Sequence, residues 1–292
     1  MIVLANGLNV PEIATGGGVT NPNSPLIGYD QKVTISNIAA SSAATDFPAT
    51  NMANPATFLK WKATSTAANT VTVSTLTGLS DYVGIAAHNL GSKVIPITIE
   101  GNTGAGFVTI VQATTLPDDQ PTIFRFPSAL YTSIRLSLGV GTAEAEIGVL
   151  FVGRLLTLQR RIYVGHTPIK FGRSTKIVNG MSESGQYLGR IIVGQSRDSA
   201  FSVQNMTPGW YRQNFDPFLV AAKDSPFFWA WRPFSFATEV GYVWLRNDPK
   251  VVNQRTNGMM NVSLEISGYF DNSGQTESIV VGDGSDPGVI QL

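Results

Sequence analysis

Cysteine is absent from the 292 residues, which excludes disulfides, thiolate nucleophiles and every sulfur-ligated metal site together. Stability must then come from packing or association. Charge is scarce too: 14% of residues are charged, against roughly 25% in an average globular chain, and 20 basic side chains cancel 20 acidic ones. No net field draws this chain to a polyanion or an anionic leaflet. A weakly charged surface can be buried against a partner without stranding many ions, as assembly subunits require. Histidine is nearly missing: His88 and His166 are the only two, neither has a neighbouring carboxylate at catalytic spacing, and no nucleophile motif accompanies them. The reading is a protein that is not an enzyme, with no catalytic, metal or cofactor residue assigned. No apolar run is long enough to span a bilayer, and residues 1–8 lack the basic flank of a signal peptide. A chain made in the cytoplasm, with no export signal of its own, is expected.

What is present has the texture of strands. The length favours two domains. Residues 1–30 hold Pro11, Gly16, Gly17, Gly18, Pro22 and Pro25 with little charge, a composition that breaks periodicity and reads as an extended arm ordered by a neighbour. From 31 to 153, short strands recur at 32–37, 70–75, 82–87, 94–100, 106–113, 122–126, 133–138 and 145–151. Many of them alternate, as in Val71 and Val73 or Ile134, Leu136 and Leu138, which is the period-2 signal of a half-buried strand. Eight strands without a helix predict a β-sandwich.

From 154 to 272 the expectation is α+β, an antiparallel sheet carrying one helix. Strands are read at 167–178, 185–193, 199–203, 227–231, 241–245 and 259–269. A helix begins near residues 206–210, with Thr207 as N-cap and Pro208 as first helical residue, and Pro217 should kink or interrupt it. The remainder, 273–292, is rich in Gly, Ser and Asp and reads as a tail without a core of its own.

Candidate binding groups are few. Asp118 with Asp119, and Asp283, Ser285 and Asp286, offer hard oxygen ligands but lack the staged spacing of a Ca²⁺ loop. Residues 16–18 lack the Lys-Ser/Thr of a phosphate cradle. Arg154, Arg160, Arg161, Lys170, Arg173, Lys176 and Arg190 give the second half a basic beginning, read as a solvated face. The densest aromatic stretch includes Trp210, Tyr211, Phe215, Phe218, Phe227, Phe228, Trp229, Trp231, Tyr242 and Trp244. Alternation puts Phe227, Trp229 and Trp231 on one face and Phe228 on the other. The set divides between core and interface anchors, since large aromatics bury much area at low entropic cost, with carbohydrate stacking as a third role, for which Trp61 in the first half is the residue to test. The anchor candidates are Trp210, Tyr211, Trp229, Trp231 and Trp244.

Two stretches resemble known modules. Asn54, Pro55, Thr57, Trp61, Val71, Val73, the run Tyr82, Gly84, Ile85, Ala86, His88, Asn89, Leu90, Gly91, and then Ile147, Gly148 and Gly153 follow the order seen in galactose-binding-like (discoidin-type) jelly-roll domains of bacteriophage tail proteins. By that resemblance Trp61, His88 and Asn89 are the candidates for carbohydrate contact, although His88 and Asn89 also fit a turn whose side chains satisfy backbone groups. A structural Ca²⁺ is sometimes held by such folds. Residues 154–272, ending in an alternating strand and Ser-Gly-Tyr, resemble the tail-tube-type fold of siphophage distal tail proteins. Together the resemblances imply a virion protein of the tail tip or baseplate: a homo-oligomeric ring, commonly six-membered, that joins tail tube protein to tip hub protein, with tape measure protein and host glycans as further partners and no membrane. The alternative they leave is a carbohydrate-binding adhesin that attaches the virion to host glycans. Distal tail proteins often carry the sugar-binding-like domain after the ring-forming one, whereas here it comes first.

Overall fold

Two kinds of strand sequence divide the first half, and the difference between them is a difference of layer. Asn69–Val73, Ile97–Asn102 and Ser133–Leu138 alternate and bury every second residue. Ser80–His88 and Glu146–Gly153 are apolar nearly throughout and buried on both sides. A strand that faces water once must alternate; one covered twice need not. The computed structural model describes residues 1–6, 8, 13–15, 18–20, 22–162, 165–254, 258–269, 278–282 and 287–291.

The alternating strands belong to an outer five-stranded sheet, in the order Phe107–Thr114, Ile97–Asn102, Ser133–Leu138, Asn69–Val73, Ile38–Ala40. On its water-facing side Arg135 donates to Glu100, its cross-strand partner, at 2.7 Å and lies over the Phe107 ring. The doubly buried strands belong to a middle sheet, in the order Ile2–Leu4, Thr122–Ala129, Ser80–His88, Glu146–Gly153, Trp61–Lys62. Pairing is antiparallel except where Ile2–Leu4 runs parallel to Thr122–Ala129. Between these sheets lies one core, with Val71, Ile85, Phe124, Leu136 and Ile147 among its members. The chain is mainly β, and its first half is a β-sandwich.

The far side of the middle sheet is not left to water. Tyr82, Ile123, Val149 and Phe151 pack there against Leu26, Phe228 and Tyr242, which come from a third, eight-stranded sheet. Its order is Leu156–Thr157, Leu26–Gly28, Phe227–Ala230, Val240–Leu245, Met259–Gly268, Tyr187–Met206, Arg173–Met181, with Lys250–Gln254 also paired to Met259–Gly268. The helical segment covers the other face, where Phe215 and Phe218 meet Phe227, Trp229, Val203 and Leu264. The alternation expected in the Phe227 strand holds: Phe227 and Trp229 face the helix, Phe228 the sandwich.

Several expected elements take a different form. Within the expected arm, Ile2–Leu4 and Leu26–Gly28 are strands of this chain's own middle and large sheets rather than segments awaiting a neighbour. The proposed strand 167–178 is a 3-10 turn, Ile169–Phe171, followed by the strand Arg173–Met181. The strands 185–193 and 199–203 are one, Tyr187–Met206; the polar stretch between them is where it passes from its hairpin with Arg173–Met181 into pairing with Met259–Gly268. The helix comprises Pro208–Trp210, a π-helical turn at Tyr211–Phe215 and Asp216–Ala222. Thr207 is the N-cap residue, but its side chain caps nothing; its N–H donates to Gln159 at 2.8 Å instead. Pro217 has no N–H for the regular ladder, and the wide turn before it accommodates that loss. In the last twenty residues Ser278–Gly282 pairs with Pro287–Gln291 alongside Tyr187–Met206. Asp283, Ser285 and Asp286 lie outside the described residues.

Candidate functional site

The three residues singled out for saccharide contact serve the fold. Trp61 has 0% exposure, and its indole N–H donates to the Ser42 carbonyl at 2.8 Å. No ring face is open to a ligand. His88 is buried, with Nε2 3.1 Å from the Gln120 carbonyl and Nδ1 accepting the Leu90 N–H at 3.3 Å. Those partners fix a neutral ring protonated on Nε2, so the 4.0 Å approach of Nδ1 to Asp119 is not an ion pair. Burial lowers the ring's pKa from 6.5 to about 4, against the opposing pull of Asp119. Asn89 clips two strand ends: its amide donates to the Glu144 carbonyl at 2.8 Å and its oxygen accepts the Glu146 N–H at 2.9 Å.

The rest of the Gly84 to Gly91 run has equally structural reasons. A Cβ on Gly91 would stand 2.3 Å from the Asp118 carbonyl oxygen, so the two turns close only on glycine. Asp119 accepts the N–H groups of Gly91 and Ser92, both at 2.9 Å, and Asp118 accepts that of Gln120 at 3.1 Å. These carboxylates hold backbone. Among the described residues no group of three or more His, Asp or Glu side chains is placed to hold a metal.

The five aromatic anchor candidates separate. Trp229, Trp231 and Tyr211 are buried inside this chain. Trp229 stacks on Phe201 at 4.5 Å, and Trp231 donates to buried Glu239 at 2.5 Å. Trp210 is half-buried, and Trp244 is exposed. His166 stands edge-on to Trp231 at 4.7 Å.

The apolar surface lies elsewhere. Beyond Ser196 and Ser174 the strands Arg173–Met181 and Tyr187–Met206 are paired, among the described residues, with each other alone, forming a two-stranded ribbon about 23 Å long at ~3.3 Å per residue. Ile177 faces Ile192 across it, Val178 faces Ile191, and Met181 faces Tyr187. These pairs fall on both faces. Ile177, Val178, Met181, Tyr187, Leu188, Ile191, Ile192 and Val193 are all exposed, Met181 at 66%. The tip is well formed, with Ser182 N–H donating to the Gln186 carbonyl and Gly185 in the left-handed region.

No protein-family model and no curated protein sequence matches the chain. Solved structures similar to it include chitosan-binding module 1 of a chitosanase/glucanase from Paenibacillus sp. IK-5, at 15% identity over 45% of this chain and 98% of that one, TM-score 0.37. A pectin-binding carbohydrate-binding module matches at 15% identity over 39% of this chain and 87% of its own, TM-score 0.34. A fucosidase of Ruminococcus gnavus matches at 12% identity over 42% of this chain and 27% of its own, TM-score 0.36.

Proposed function

We propose that this chain is a non-enzymatic assembly subunit that associates with copies of itself through the ribbon. The resemblances read in the sequence extend the proposal: the assembly is a ring in a bacteriophage tail tip, between tail tube and hub, and the phage particle is its location. One observation carries the reading, the row of exposed apolar side chains on the ribbon at the edge of the large sheet. A two-stranded hairpin by itself is marginal in water, and an exposed, long, apolar edge is a template for pairing with another chain. Eight large side chains, each about half exposed, present on the order of 500 Å² of apolar area over the two faces together, a substantial part of the ~800 Å² per partner of a stable interface. A second copy brings the same apolar edge, so one pairing covers both.

Size-exclusion chromatography with light scattering on the purified full chain tests the proposal. Multimers at micromolar concentration are expected. A stable monomer at that concentration, with no change on a hundredfold increase, overturns it.

Saccharide attachment is the second reading. It needs a surface other than Trp61, His88 and Asn89, and a cleft beside the helical segment supplies one.

A further inference from the structure

A cleft of about 430 Å³ opens where the sandwich meets the helical segment, within the range of about 300–1,000 Å³ usual for small-molecule sites. Its floor comes from the sandwich: Asp81 near the start of Ser80–His88, and Arg154 just past Glu146–Gly153, beside Asp30. Its other wall comes from the helical segment, through Trp210, Gln213 and Asn214.

Backbone groups set both carboxylates in place. Asp30 Oδ2 accepts the Arg154 N–H at 2.9 Å, and Asp81 Oδ1 accepts the Leu155 N–H at 2.7 Å. Each keeps its second oxygen unused among the described residues. Asn214 donates to the Trp210 carbonyl at 3.1 Å and keeps its own oxygen for another donor, while the Gln213 amide and the Trp210 indole N–H have no partner among the described residues. Gln213 and Asn214 both sit in the π-helical turn Tyr211–Phe215, a distortion found frequently at functional sites.

The chemistry of these groups selects a ligand. Charges of both signs surround the cleft, Asp30 paired with Lys32 at 3.7 Å and Asp81 influenced by Arg125 and Arg154, so a strongly charged ligand of either sign meets repulsion as well as attraction. A neutral molecule dense in hydroxyls meets neither, because each hydroxyl both donates and accepts and can serve Asp, Arg, Gln and Asn in turn. The half-buried indole of Trp210 offers a flat apolar face for its C–H groups. We propose that this cleft binds a saccharide unit, with Trp210 as the stacking platform and Asp81, Arg154, Gln213 and Asn214 as its hydrogen-bonding partners. This inference rests on the saccharide reading and is independent of assembly.

Isothermal titration of the full chain with galactose, N-acetylgalactosamine, N,N′-diacetylchitobiose and lactose, all neutral, tests it, with the variants Trp210→Ala and Gln213→Ala titrated alongside. Binding of at least one of the four is expected, weakened at least tenfold by each variant. Gln213 is exposed, so its replacement leaves the fold intact and a loss there reports the ligand contact. Binding retained within twofold in both variants overturns the cleft while leaving saccharide attachment standing at another surface. No binding by any of the four overturns both.

Discussion

The ring of Phe228 occupies the space above Gly84: a Cβ built on that glycine would stand 2.6 Å from the ring. Phe228 belongs to the large sheet and Gly84 to the middle sheet, so this contact sets the distance between the two halves. A similar contact is repeated nearby, where a Cβ on Gly28 would stand 2.8 Å from the Tyr82 ring, and the Tyr82 hydroxyl donates to the Asp30 carbonyl at 2.8 Å.

Gly84→Ala is therefore expected to overpack the junction and cost about 1–3 kcal/mol. In a Phe228→Leu background the same change should cost far less, because the ring it strikes has gone. Equilibrium denaturation of the four proteins in that cycle measures the coupling. Additive costs would show that the two residues do not constrain each other.

His88 gives the fold a pH dependence of known sign. Its pKa is about 4 folded and 6.5 unfolded, so between those values the unfolded chain takes up a proton that the folded chain refuses. Stability falls as pH drops from 6.5 to about 4, by about 3 kcal/mol from this one ring. His88→Gln keeps a donor for the Gln120 carbonyl and removes the titration. The variant should lose less stability than the parent over that window, and parallel denaturation curves at pH 7, 5.5 and 4 would report it.

Trp61→Phe removes the N–H bound to the Ser42 carbonyl while leaving an aromatic in the core. A cost of about 1–3 kcal/mol is expected, from an acceptor left buried and the volume lost. Saccharide titrations of the folded variant should match the parent, since the ring faces no solvent. A selective loss of binding at unchanged stability would return Trp61 to a contact role.

In the ribbon, Val178→Glu with Ile191→Glu sets two like charges directly opposite each other on one face. Both positions are exposed, so the monomer's unfolding midpoint should move little while multimers dissociate. Light scattering showing undiminished multimers would move the interface elsewhere.

The sequence pattern carried much of this architecture. Alternation in Asn69–Val73 and Ser133–Leu138 marked half-buried strands, and that of Phe227 to Trp231 assigned Phe228 to the opposite face from Trp229. Layer stacking was harder to read, because Tyr82 to His88 has the same apolar content whether its second face meets a sheet or a partner. The arm failed for a related reason: proline and glycine punctuate residues 1–30, yet Ile2–Leu4 and Leu26–Gly28 are long enough to complete sheets begun far along the chain. Sites were less legible still. Whether a tryptophan is a platform or a core residue depends on neighbours such as Ser42, which no local pattern reveals. The residues of the cleft carried one signal, Pro217 within a helical pattern, which foretold a distortion without saying that Gln213 and Asn214 would line a cavity. The ribbon's Ile177, Val178, Ile191 and Ile192 look like any buried strand; only the fold shows them uncovered.

The middle sheet, covered on both faces, has a mechanical consequence. A sandwich hung from a flexible tether would swing freely and pass little force to whatever holds its other end. Here the middle sheet is packed on both faces, and the rings of Phe228 and Tyr82 interlock across the junction, so force applied to the large sheet is passed on to the sandwich.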